Sequence, residues 1–377
     1  MSNPRIAIAT SDYYKPGQTF VNRHIERMFG GNTCVCCHRF TGENPLNKAV
    51  FAVRADHGMA DRILRPGGDL VNRLRYGTSR AAFGPSRRAL IRFLRDQEVD
   101  LILAEFGTEA QAIHHTAVEL GLPCFGYFRG ADASQALGLR RRRRGYARML
   151  PHLAGIFTVS RFLRDNLADH GLTHPNIHVL TGGVDVSRFV PGEKRPRSFL
   201  AVGRMVEKKA PLITLAAFAT GTRGTDAHLT MIGDGPLLAP ARKHAAELGI
   251  ADRVTFTGNQ PHEMVRAELA ITETLLQHSL TSKTGDTEGL PNSIQEALAA
   301  GCLVISTQHA GIPEAVDDGV TGWLVPERDE AAMADRIRRS LTSDTAAMTT
   351  AARATALARF DDAKLLARTE EILRAAL

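Results

Sequence analysis

Short apolar runs alternate with longer amphipathic runs along almost the whole chain. The apolar runs have the length of strands, and the amphipathic runs have the apolar spacing of helices. Before residue 190 the predicted strands are 5–10, 101–105, 123–128, 155–160 and 177–180, and the predicted helices are 18–29, 108–120 and 161–170. Strands that regularly precede helices indicate a parallel sheet covered on both faces.

The alternation stops and starts again near residue 195. The segment VPGEKRPRS, residues 190–198, is polar and rich in Pro and Gly, which is typical of a domain joint. After it the predicted strands are 198–203, 228–233, 253–258, 274–279, 303–306 and 322–325, with helices at 209–220, 236–248, 261–270, 312–317 and 329–342 and one starting near 292. The pattern predicts an α/β protein with two Rossmann-like parallel-sheet domains.

We place the first domain at 1–190 and the second at 191–355. The last segment, 356–377, contains DDAKLLARTEEILRAAL, which has the pattern of a capped amphipathic helix. We expect this helix to pack back toward the N-terminal domain.

The composition fits this architecture. A chain of 377 residues suits two domains, and 44% hydrophobic with 23% charged residues is ordinary for a globular enzyme. No apolar run reaches the roughly 18 residues that a membrane span needs, and the start MSNPRIAIATSDYY lacks the pattern of a signal peptide. We therefore expect a cytoplasmic protein.

Five cysteines, an odd number, argue against a disulfide framework. The run CVCCHRF spans Cys34 to Phe40, and its spacing matches no standard zinc pattern. We interpret it as a strand whose alternate thiols point inward, and we predict no metal site.

Positive charge is concentrated in the N-terminal half. Residues 1–190 hold 26 Lys and Arg against 16 Asp and Glu, whereas residues 191–377 hold 21 against 24. The excess lies in the five-arginine run Arg140–Arg144 and in the region 73–95. This basic field is either a solvated helix face or a surface that attracts phosphates, whether of nucleic acid, of anionic lipid or of a phosphorylated acceptor. We expect no nucleic-acid partner.

Ligands of open parallel sheets bind at the carboxyl ends of strands, which directs attention to the stretch GDTEGLPNSIQEALAAG, residues 285–301. A helix should begin near Asn292 or Ser293, both good N-cap residues, and its free amides suit phosphate. Glu288 and Glu296 are either ordinary surface and capping residues or carboxylates that bind sugar hydroxyls on either side of that phosphate.

Three other strand-end loops carry candidate residues. GRMVEKKAP places Arg204, Lys208 and Lys209 after a strand, where they either grip a diphosphate or form surface salt bridges. Arg129 and Asp132 follow another strand and suit polar recognition, although Asp132 could equally cap a helix. GDGP, residues 233–236, lacks the third glycine of a nicotinamide fingerprint, so we interpret it as a tight turn.

With these loops in view, the chain resembles the retaining glycosyltransferases of family 4. The resemblance rests on the paired glutamates of Glu288-Gly-Leu-Pro-Asn-Ser-Ile-Gln-Glu296, with seven residues between them. It extends to VGRMVEKKAP (202–211), GDGPL (233–237), GGVDVSRFVP (182–191) and TQHAGIPEAVDDGVTGWLVPERD (307–329). GQTFVNRHI (17–25) together with GDTEGLP (285–291) is similar to the branch that builds exopolysaccharides and related glycans.

The resemblance implies the GT-B architecture, two Rossmann-like domains facing a central cleft. It implies that Glu288, Arg204 and Lys209 carry catalysis, with Glu288 facing the donor sugar and the two cations binding the diphosphate. It implies donor-binding roles for Glu296, Gly289, Leu290, Pro291, Asn292, Ser293, Gly17, Gly203 and Gly258, and a part in acceptor or sugar recognition for Arg129 and Asp132. Many family members have a histidine in the loop where this chain has Arg129.

The implied reaction moves a sugar from a UDP- or GDP-sugar to a hydroxyl of a glycan, glycolipid or small molecule, with retained anomeric configuration and without a metal or other cofactor. Glu288 would position the donor rather than attack it. Arg140–Arg144 would allow peripheral contact with an anionic membrane. The alternatives are another GT-B enzyme, an epimerase or a phosphorylase, or a non-catalytic protein that binds polyanions or glycans.

Overall fold

The structure is a computed structural model that describes residues 3–15, 17–40, 42–55 and 57–377. The chain divides into two compact units of similar internal packing. One is Met1–Leu180 together with Lys364–Leu377, and the other is Thr181–Ala363. They are called the N-terminal and the C-terminal unit below.

The N-terminal unit is built on a parallel sheet of seven strands. These are β1 (Ile6–Asp12), β2 (Thr33–Arg39), β3 (Val50–Ala52), β4 (Leu101–Glu105), β5 (Cys124–Phe128), β6 (Gly155–Thr158) and β7 (Ile177–Val179). Their order is β3-β2-β1-β4-β5-β6-β7, so the winding direction reverses between β1 and β4. Such a reversal opens a crevice at the carboxyl ends of the two central strands.

Helices cover this sheet. They are α1 (Thr19–Arg27), α2 (Met59–Tyr76), α3 (Gly84–Asp96), α4 (Gly107–Leu120), α5 (Arg140–Met149) and α6 (Arg161–Asp169). The interpretation of CVCCHRF as a strand with buried thiols is confirmed, and the burial extends to both faces of β2, since Cys34, Cys36 and Cys37 are all buried. The reason is that β2 lies inside a parallel sheet whose two faces are both covered.

The C-terminal unit repeats the plan with six parallel strands. These are β8 (Arg195–Val202), β9 (His228–Ile232), β10 (Val254–Gly258), β11 (Thr272–Gln277), β12 (Leu303–Thr307) and β13 (Trp323–Val325). The order β10-β9-β8-β11-β12-β13 places the reversal between β8 and β11. Leu215, Leu229 and Ile305 are fully buried in its core.

The helices of the C-terminal half complete the architecture. They are α7 (Pro211–Gly221), α8 (Leu238–Glu247), α9 (His262–Ile271), α10 (Asn292–Ala299), α11 (Glu330–Ser340), α12 (Ala346–Arg359) and α13 (Asp362–Arg374). Only a short 3-10 turn, Ile312–Glu314, forms where a helix was predicted at 312–317. The two parallel-sheet, Rossmann-like domains predicted from the sequence are confirmed.

The units divide between Leu180 and Thr181, before the joint that we placed at 190–198. The intervening residues are held by the C-terminal unit. The N–H of Val184 donates to Phe360 O at 2.8 Å, and the N–H of Gly192 donates to Ala270 O at 2.9 Å. Residues 195–198 already form the start of β8, because a polar, Pro-containing segment can still pair at the beginning of a strand.

Most of α13 lies with the N-terminal unit. The carboxylate of Glu370 accepts a 2.7 Å hydrogen bond from the N–H of Phe29, and Leu373 is fully buried. The guanidinium of Arg374 lies 5.2 Å from the centre of the Phe29 ring. Within the described ranges, no helix is both long enough and apolar enough to cross a bilayer.

Candidate functional site

Three strand-end loops of the C-terminal unit are joined backbone to backbone. The N–H of Gly203, after β8, donates to Ile232 O at 3.0 Å, and the N–H of Gly233 donates to Gly258 O at 2.9 Å. A Cβ atom at Gly233 would lie 1.9 Å from the carbonyl oxygen of Gly203, so only glycine permits this approach. The GDGP segment is therefore a tight turn that supports the loop carrying Arg204 and Lys209.

Lys209 and Glu288 come together at the reversal point of the sheet. Lys209 follows β8, Glu288 follows β11, and the lysine Nζ lies 3.1 Å from Oε1 of the glutamate. A Cβ at Gly203 would lie 3.2 Å from Cε of Lys209, so the glycine makes room for the lysine side chain. Burial raises the pKa of Glu288, but Lys209 and Lys208 outweigh it and hold that pKa below its ordinary value. Glu288 is thus ionised at neutral pH.

Lys208 has a different environment from its neighbour. Its Nζ donates to Oδ1 of Asp286 at 3.0 Å and to the carbonyl of Thr287 at 3.1 Å. Its own carbonyl accepts from the N–H of Leu280 at 2.9 Å. Lys208 therefore links the loop before Glu288 to the loop after β8. Its positive charge also helps to lower the pKa of Glu288.

Arg204 is exposed, and its guanidinium has no hydrogen-bond or ion-pair partner among the described residues. It lies in the loop after β8, five positions before Lys209. An unpaired arginine at this position can bind an anion without first breaking a salt bridge.

The helix α10 begins at Asn292, within the predicted range, which is one residue too early for Asn292 to be its N-cap. Pro291 is the N-cap, with φ −63° and ψ 129°, so the prediction of Asn292 or Ser293 as the N-cap is wrong. The extended ψ of Pro291 keeps it outside the helix, and Asn292 becomes the first helical residue. In the part of the chain that the structure describes, no side chain caps this turn. The hydroxyl of Ser293 instead donates to Gln277 Oε1 at 2.6 Å, and helix-start amides without a side-chain cap are able to bind an anion.

The second glutamate of the pair has its own basic partner. Oε1 of Glu296, on α10, lies 3.0 Å from Nε2 of His262 at the start of α9. The hydrogen bond to Glu296 is the largest influence on His262 and raises its pKa above the ordinary value. We assigned no role to His262 from the sequence, since it lies 34 positions away along the chain.

A buried histidine supports the backbone at Glu288. The N–H of Glu288 donates to Nε2 of His309 at 3.1 Å, and Nδ1 of His309 lies 2.6 Å from Oε1 of Glu327. Because Nε2 accepts, Nδ1 carries the proton and donates it to the carboxylate. Burial raises the pKa of Glu327, but the hydrogen bonds from His309 and from the N–H of Thr281 hold it below its ordinary value. The strand-end rule selects the loop that holds His309, yet nothing in the sequence pairs it with Glu327.

Arg129 is enclosed within the N-terminal unit. Its Nε donates to Oε2 of Glu105 at 2.7 Å, and its guanidinium lies 4.1 Å and 3.7 Å from the ring centres of Phe20 and Tyr127. Nδ1 of His24 lies 2.5 Å from the other oxygen of Glu105. Burial raises the pKa of Glu105, but Arg129 and His24 hold it below its ordinary value. Burial is the main effect on His24 and lowers its pKa.

Among the described residues, the carboxylate of Asp132 accepts hydrogen bonds from backbone N–H groups alone. One oxygen accepts from the N–H groups of Arg129 at 3.0 Å and Gly130 at 2.8 Å, and the other accepts from Gly107 N–H at 2.8 Å. Gly107 is the first residue of α4. Of the two roles open from the sequence, this geometry is that of a helix and loop cap.

The remaining predicted residues lie at two places. Gly289, Leu290 and Pro291 are buried in the loop before α10. Gly17 precedes α1 in the N-terminal unit, with a φ of +80° and open space where a Cβ would stand. A small approaching group would therefore meet no side chain at Gly17.

Comparison with known proteins gives two adjoining family matches. The profile described as Glycosyltransferase Family 4 matches residues 34–188, and that described as Glycosyl transferases group 1 matches residues 185–356. The amylovoran biosynthesis glycosyltransferase AmsK of Erwinia amylovora is 32% identical over 212 residues, 55% of this chain and 52% of that protein. The putative colanic acid biosynthesis glycosyltransferase WcaL of Escherichia coli K12 is 31% identical over 223 residues, 58% of this chain and 55% of that protein. The chain spans about half the length of the curated relatives it matches.

Solved structures match over nearly the full chain. A glycosyltransferase from Rickettsia africae has a TM-score of 0.77 at 17% identity and covers 99% of each chain. Anabaena HepE in complex with UDP and glucose has a TM-score of 0.76 at 15% identity, covering 99% of this chain and 100% of that one. At these identities the likeness shows the fold.

Two doubly wound parallel-sheet units of this kind define the GT-B class of glycosyltransferases. Within that class, the chain consists of a Glycosyltransferase Family 4 domain, residues 34–188, followed by a Glycosyl transferases group 1 domain, residues 185–356. Two of its curated relatives are named for amylovoran and colanic acid biosynthesis.

Proposed function

We propose that the protein is a retaining, metal-independent glycosyltransferase that moves a sugar from a UDP- or GDP-sugar to a hydroxyl of a glycan, glycolipid or small-molecule acceptor. One observation carries the proposal. The Lys209–Glu288 pair lies at the sheet reversal point, where the same loops also hold the unpaired Arg204 and the uncapped start of α10.

The cations of this site suit a departing diphosphate. Arg204 and Lys209 supply two positive charges, and the first-turn amides of α10 supply oriented N–H groups. Charge grows on the diphosphate as the bond to the sugar breaks, so these fixed groups stabilise the transition state more than the bound donor. Fixed cations of this kind take the place that a metal ion has in other sugar transfers.

Glu288 has the properties of a positioning group. Its ionised carboxylate is held in place by Lys209 and can accept hydrogen bonds from sugar hydroxyls, so we assign it to positioning the donor. In the proposed reaction, the bond from the anomeric carbon to the diphosphate oxygen breaks on the face where the acceptor oxygen bonds. The acceptor proton passes to the departing diphosphate oxygen. Configuration is retained without a covalent enzyme intermediate.

Glu296 suits the ribose of the nucleotide. Its Oε1 is bonded to His262, and a carboxylate can accept a further hydrogen bond at its second oxygen, which suits a ribose hydroxyl. Gly258 ends β10 with a φ of +69° and open space where a Cβ would stand, so a base can approach that strand end.

Relatives support both donor classes. A Mycobacterium tuberculosis relative, 32% identical over 197 residues and 51% covered, is named as a GDP-mannose-dependent mannosyltransferase of a phosphatidylinositol mannoside. The Anabaena structure of the same fold was solved with UDP-glucose. The first relative acts on a lipid-linked acceptor by its name, which supports a glycolipid among the candidates.

The test is a thermal-unfolding screen of UDP- and GDP-sugars with EDTA present. We expect one donor to raise the melting temperature of the wild type and to lose that effect in Arg204→Ala. Arg338→Ala, which removes an exposed arginine from α11, serves as the matched control. NMR of the transfer product then reads the anomeric configuration. Inversion contradicts the retaining proposal, conversion of the donor without acceptor indicates an epimerase, and a requirement for inorganic phosphate indicates a phosphorylase.

We also propose that the protein contacts anionic membrane peripherally, on its cytoplasmic side, through the run Arg140–Arg144. Three of these arginines, Arg140, Arg141 and Arg144, are exposed on α5. Clustered arginines bind anionic head groups in proportion to their number.

A further inference from the structure

The helix α2 has the reverse of the usual arrangement of a surface helix, with its large apolar side chains exposed and polar or glycine residues buried. The residues that it buries are polar or lack a side chain, namely Asp61, Gly68 and Asn72. The amide of Asn72 donates to the carbonyl of Ala81 at 2.8 Å. A Cβ at Gly68 would lie 2.4 Å from Cδ1 of Phe83, so the helix approaches its neighbour through a glycine. The inner face therefore packs by hydrogen bonds and close backbone approach.

The outer face of α2 carries the apolar side chains. They are Met59, Ile63, Leu64, Leu70, Val71 and Leu74. Met59, Ile63 and Leu74 are 77%, 71% and 73% exposed. At about 100° per residue, the six positions fall within an arc of about 140° on one side of the helix. Six large apolar side chains aligned on a single helix are a contiguous patch, which marks an interaction surface rather than scattered exposure.

The exposed charged residues of α2 beside this patch are arginines. Arg62, Arg73 and Arg75 are exposed at the edges of the arc. The two acidic residues of α2 are on its inner side, where Asp61 is ion-paired with Arg65 within the helix and Asp69 lies 2.7 Å from the guanidinium of Arg54.

The arginine-rich helix α5 lies beside the last turn of α2. A Cβ at Gly77 would lie 3.3 Å from the carbonyl oxygen of Arg141, and Arg148 donates to the carbonyl of Arg75 at 3.2 Å. The exposed arginines of α5 are Arg140, Arg141, Arg144 and Arg148. Two members of the run turn inward instead, since Arg142 donates to Gln111 and Arg143 to the carbonyl of Leu137.

We propose that this surface, the α2–α5 face, docks on an anionic lipid bilayer. The face comprises the six apolar side chains of α2 and the four exposed arginines of α5. The apolar arc enters the boundary between head groups and acyl chains, and the arginines bind the lipid phosphates. A second copy of the chain fits less well, because two copies of the face would bring like charges together.

This inference deepens the proposed peripheral membrane contact and rests on it, but it does not depend on the transfer reaction. If the arginines alone bound the membrane, salt should abolish the adsorption of the protein to the vesicles. The apolar arc adds burial of hydrocarbon, which salt does not screen. The two contributions can therefore be measured separately.

The experiment is flotation of the full chain with vesicles made of equal parts phosphatidylcholine and phosphatidylglycerol. We expect the wild type to float with them and not with pure phosphatidylcholine. The variant Ile63→Gln/Leu70→Gln/Leu74→Gln should lose about tenfold or more in vesicle partitioning, as expected for three apolar side chains kept in water. These side chains are exposed, so the variant should keep its fold, which circular dichroism checks. Met264→Gln/Val320→Gln removes exposed apolar side chains of the C-terminal unit and should float like the wild type.

A second variant separates the electrostatic contribution to vesicle binding from the hydrophobic one. Arg140→Gln/Arg141→Gln/Arg144→Gln should weaken binding at low salt and reduce its salt dependence, whereas Arg338→Gln/Arg339→Gln in α11 should not. Unchanged flotation of the Gln-substituted α2 variant overturns the proposal. So does a wild type that fails to float but forms a dimer, by light scattering, that the α2 variant abolishes. Donor-induced stabilisation of the same variants, measured without vesicles, reports on the transferase proposal alone.

Discussion

Each unit has a buried glutamate after or at the end of a strand that flanks the reversal point of its sheet. The two glutamates differ in the residues that surround them. Glu105 ends β4, and its partners Arg129 and His24 are buried with it. Glu288 follows β11, and the side chain of its partner Lys209 is 17% exposed. One cluster is closed over and the other opens to the surface.

This difference separates a carboxylate used for folding from one available to a ligand. Both oxygens of Glu105 are engaged by side chains of its own unit, and aromatic rings cover the guanidinium that binds it. Glu288 is bound by one lysine, in a loop that also carries the unpaired Arg204. An enclosed ion pair has no group left for a ligand, whereas a half-open pair can exchange a contact for one with a substrate.

The largest expected effect is on the closed cluster. Glu105→Gln leaves the buried Arg129 without a counter-charge, so we expect a loss of about 3–5 kcal/mol in the free energy of unfolding. Chemical denaturation measures it. Glu26→Gln, at an exposed position of α1, should change stability by less than about 0.5 kcal/mol. Equal stability of the two variants would mean that the closed cluster does not stabilise the unit.

The open cluster should respond in activity more than in stability. Glu288→Gln removes the charge that positions the donor sugar, so kcat should fall by about 100-fold or more. Steady-state kinetics with the donor found in the thermal screen measures it, and Glu263→Gln on α9 is the exposed control. Full activity of Glu288→Gln would reduce the paired-glutamate segment to an ordinary helix start.

His309 should affect the same site through the backbone of Glu288. His309→Ala leaves the buried N–H of Glu288 without an acceptor, which costs about 1–3 kcal/mol. We expect lower stability and lower kcat, with KM for the donor changed less. His309→Gln restores an acceptor and should recover part of both losses. If Gln rescues nothing while Ala keeps full kcat, the histidine serves only as core packing.

The smallest effects should come from Glu296 and His262. Glu296→Gln should weaken nucleotide binding by about tenfold, the value of one charged hydrogen bond, with kcat less affected. Isothermal calorimetry with the free nucleotide measures the change. Equal loss of kcat and affinity would place Glu296 at the reacting sugar instead.

The His262–Glu296 pair also predicts a pH dependence. The pair raises the pKa of His262 from its ordinary 6.5, so the folded state binds the proton more tightly than the unfolded state. Its contribution to stability is fully present below pH 6.5 and is lost as the pH rises through the folded value. NMR titration should show the His262 ring titrating above 6.5 in the wild type and lower in Glu296→Gln. An unchanged titration in the variant would show that Glu296 does not raise the pKa of His262.

Much of the fold could be predicted from the chain because strand and helix periodicities are local. β1, β4, β8 and β12 follow from apolar runs, and the reset near residue 195 indicated a second domain. β3, α2, α3 and α12 were missed. The apolar residues of α2 face outward, so a rule that assigns apolar faces to the core does not recognise its packing.

The candidate site divides in the same way. The positions of Glu288, Glu296, Arg204 and Lys209 after predicted strands could be read from the chain, because strand ends gather at one edge of a parallel sheet. The bonding partners could not. His309 and Glu327 meet across 18 positions, and His262 and Glu296 across 34, because each pair depends on how separate loops pack.

What the sequence alone determined is therefore the architecture, the family and the segments that carry chemistry, since all three depend on short-range patterns. The tertiary structure decided which charges are enclosed and which remain open. Arg129 and Arg204 are both arginines in strand-end loops, yet one is buried against Glu105 and the other is unpaired at the surface. That distinction depends on burial and on neighbours distant along the chain, and only the folded backbone determines those.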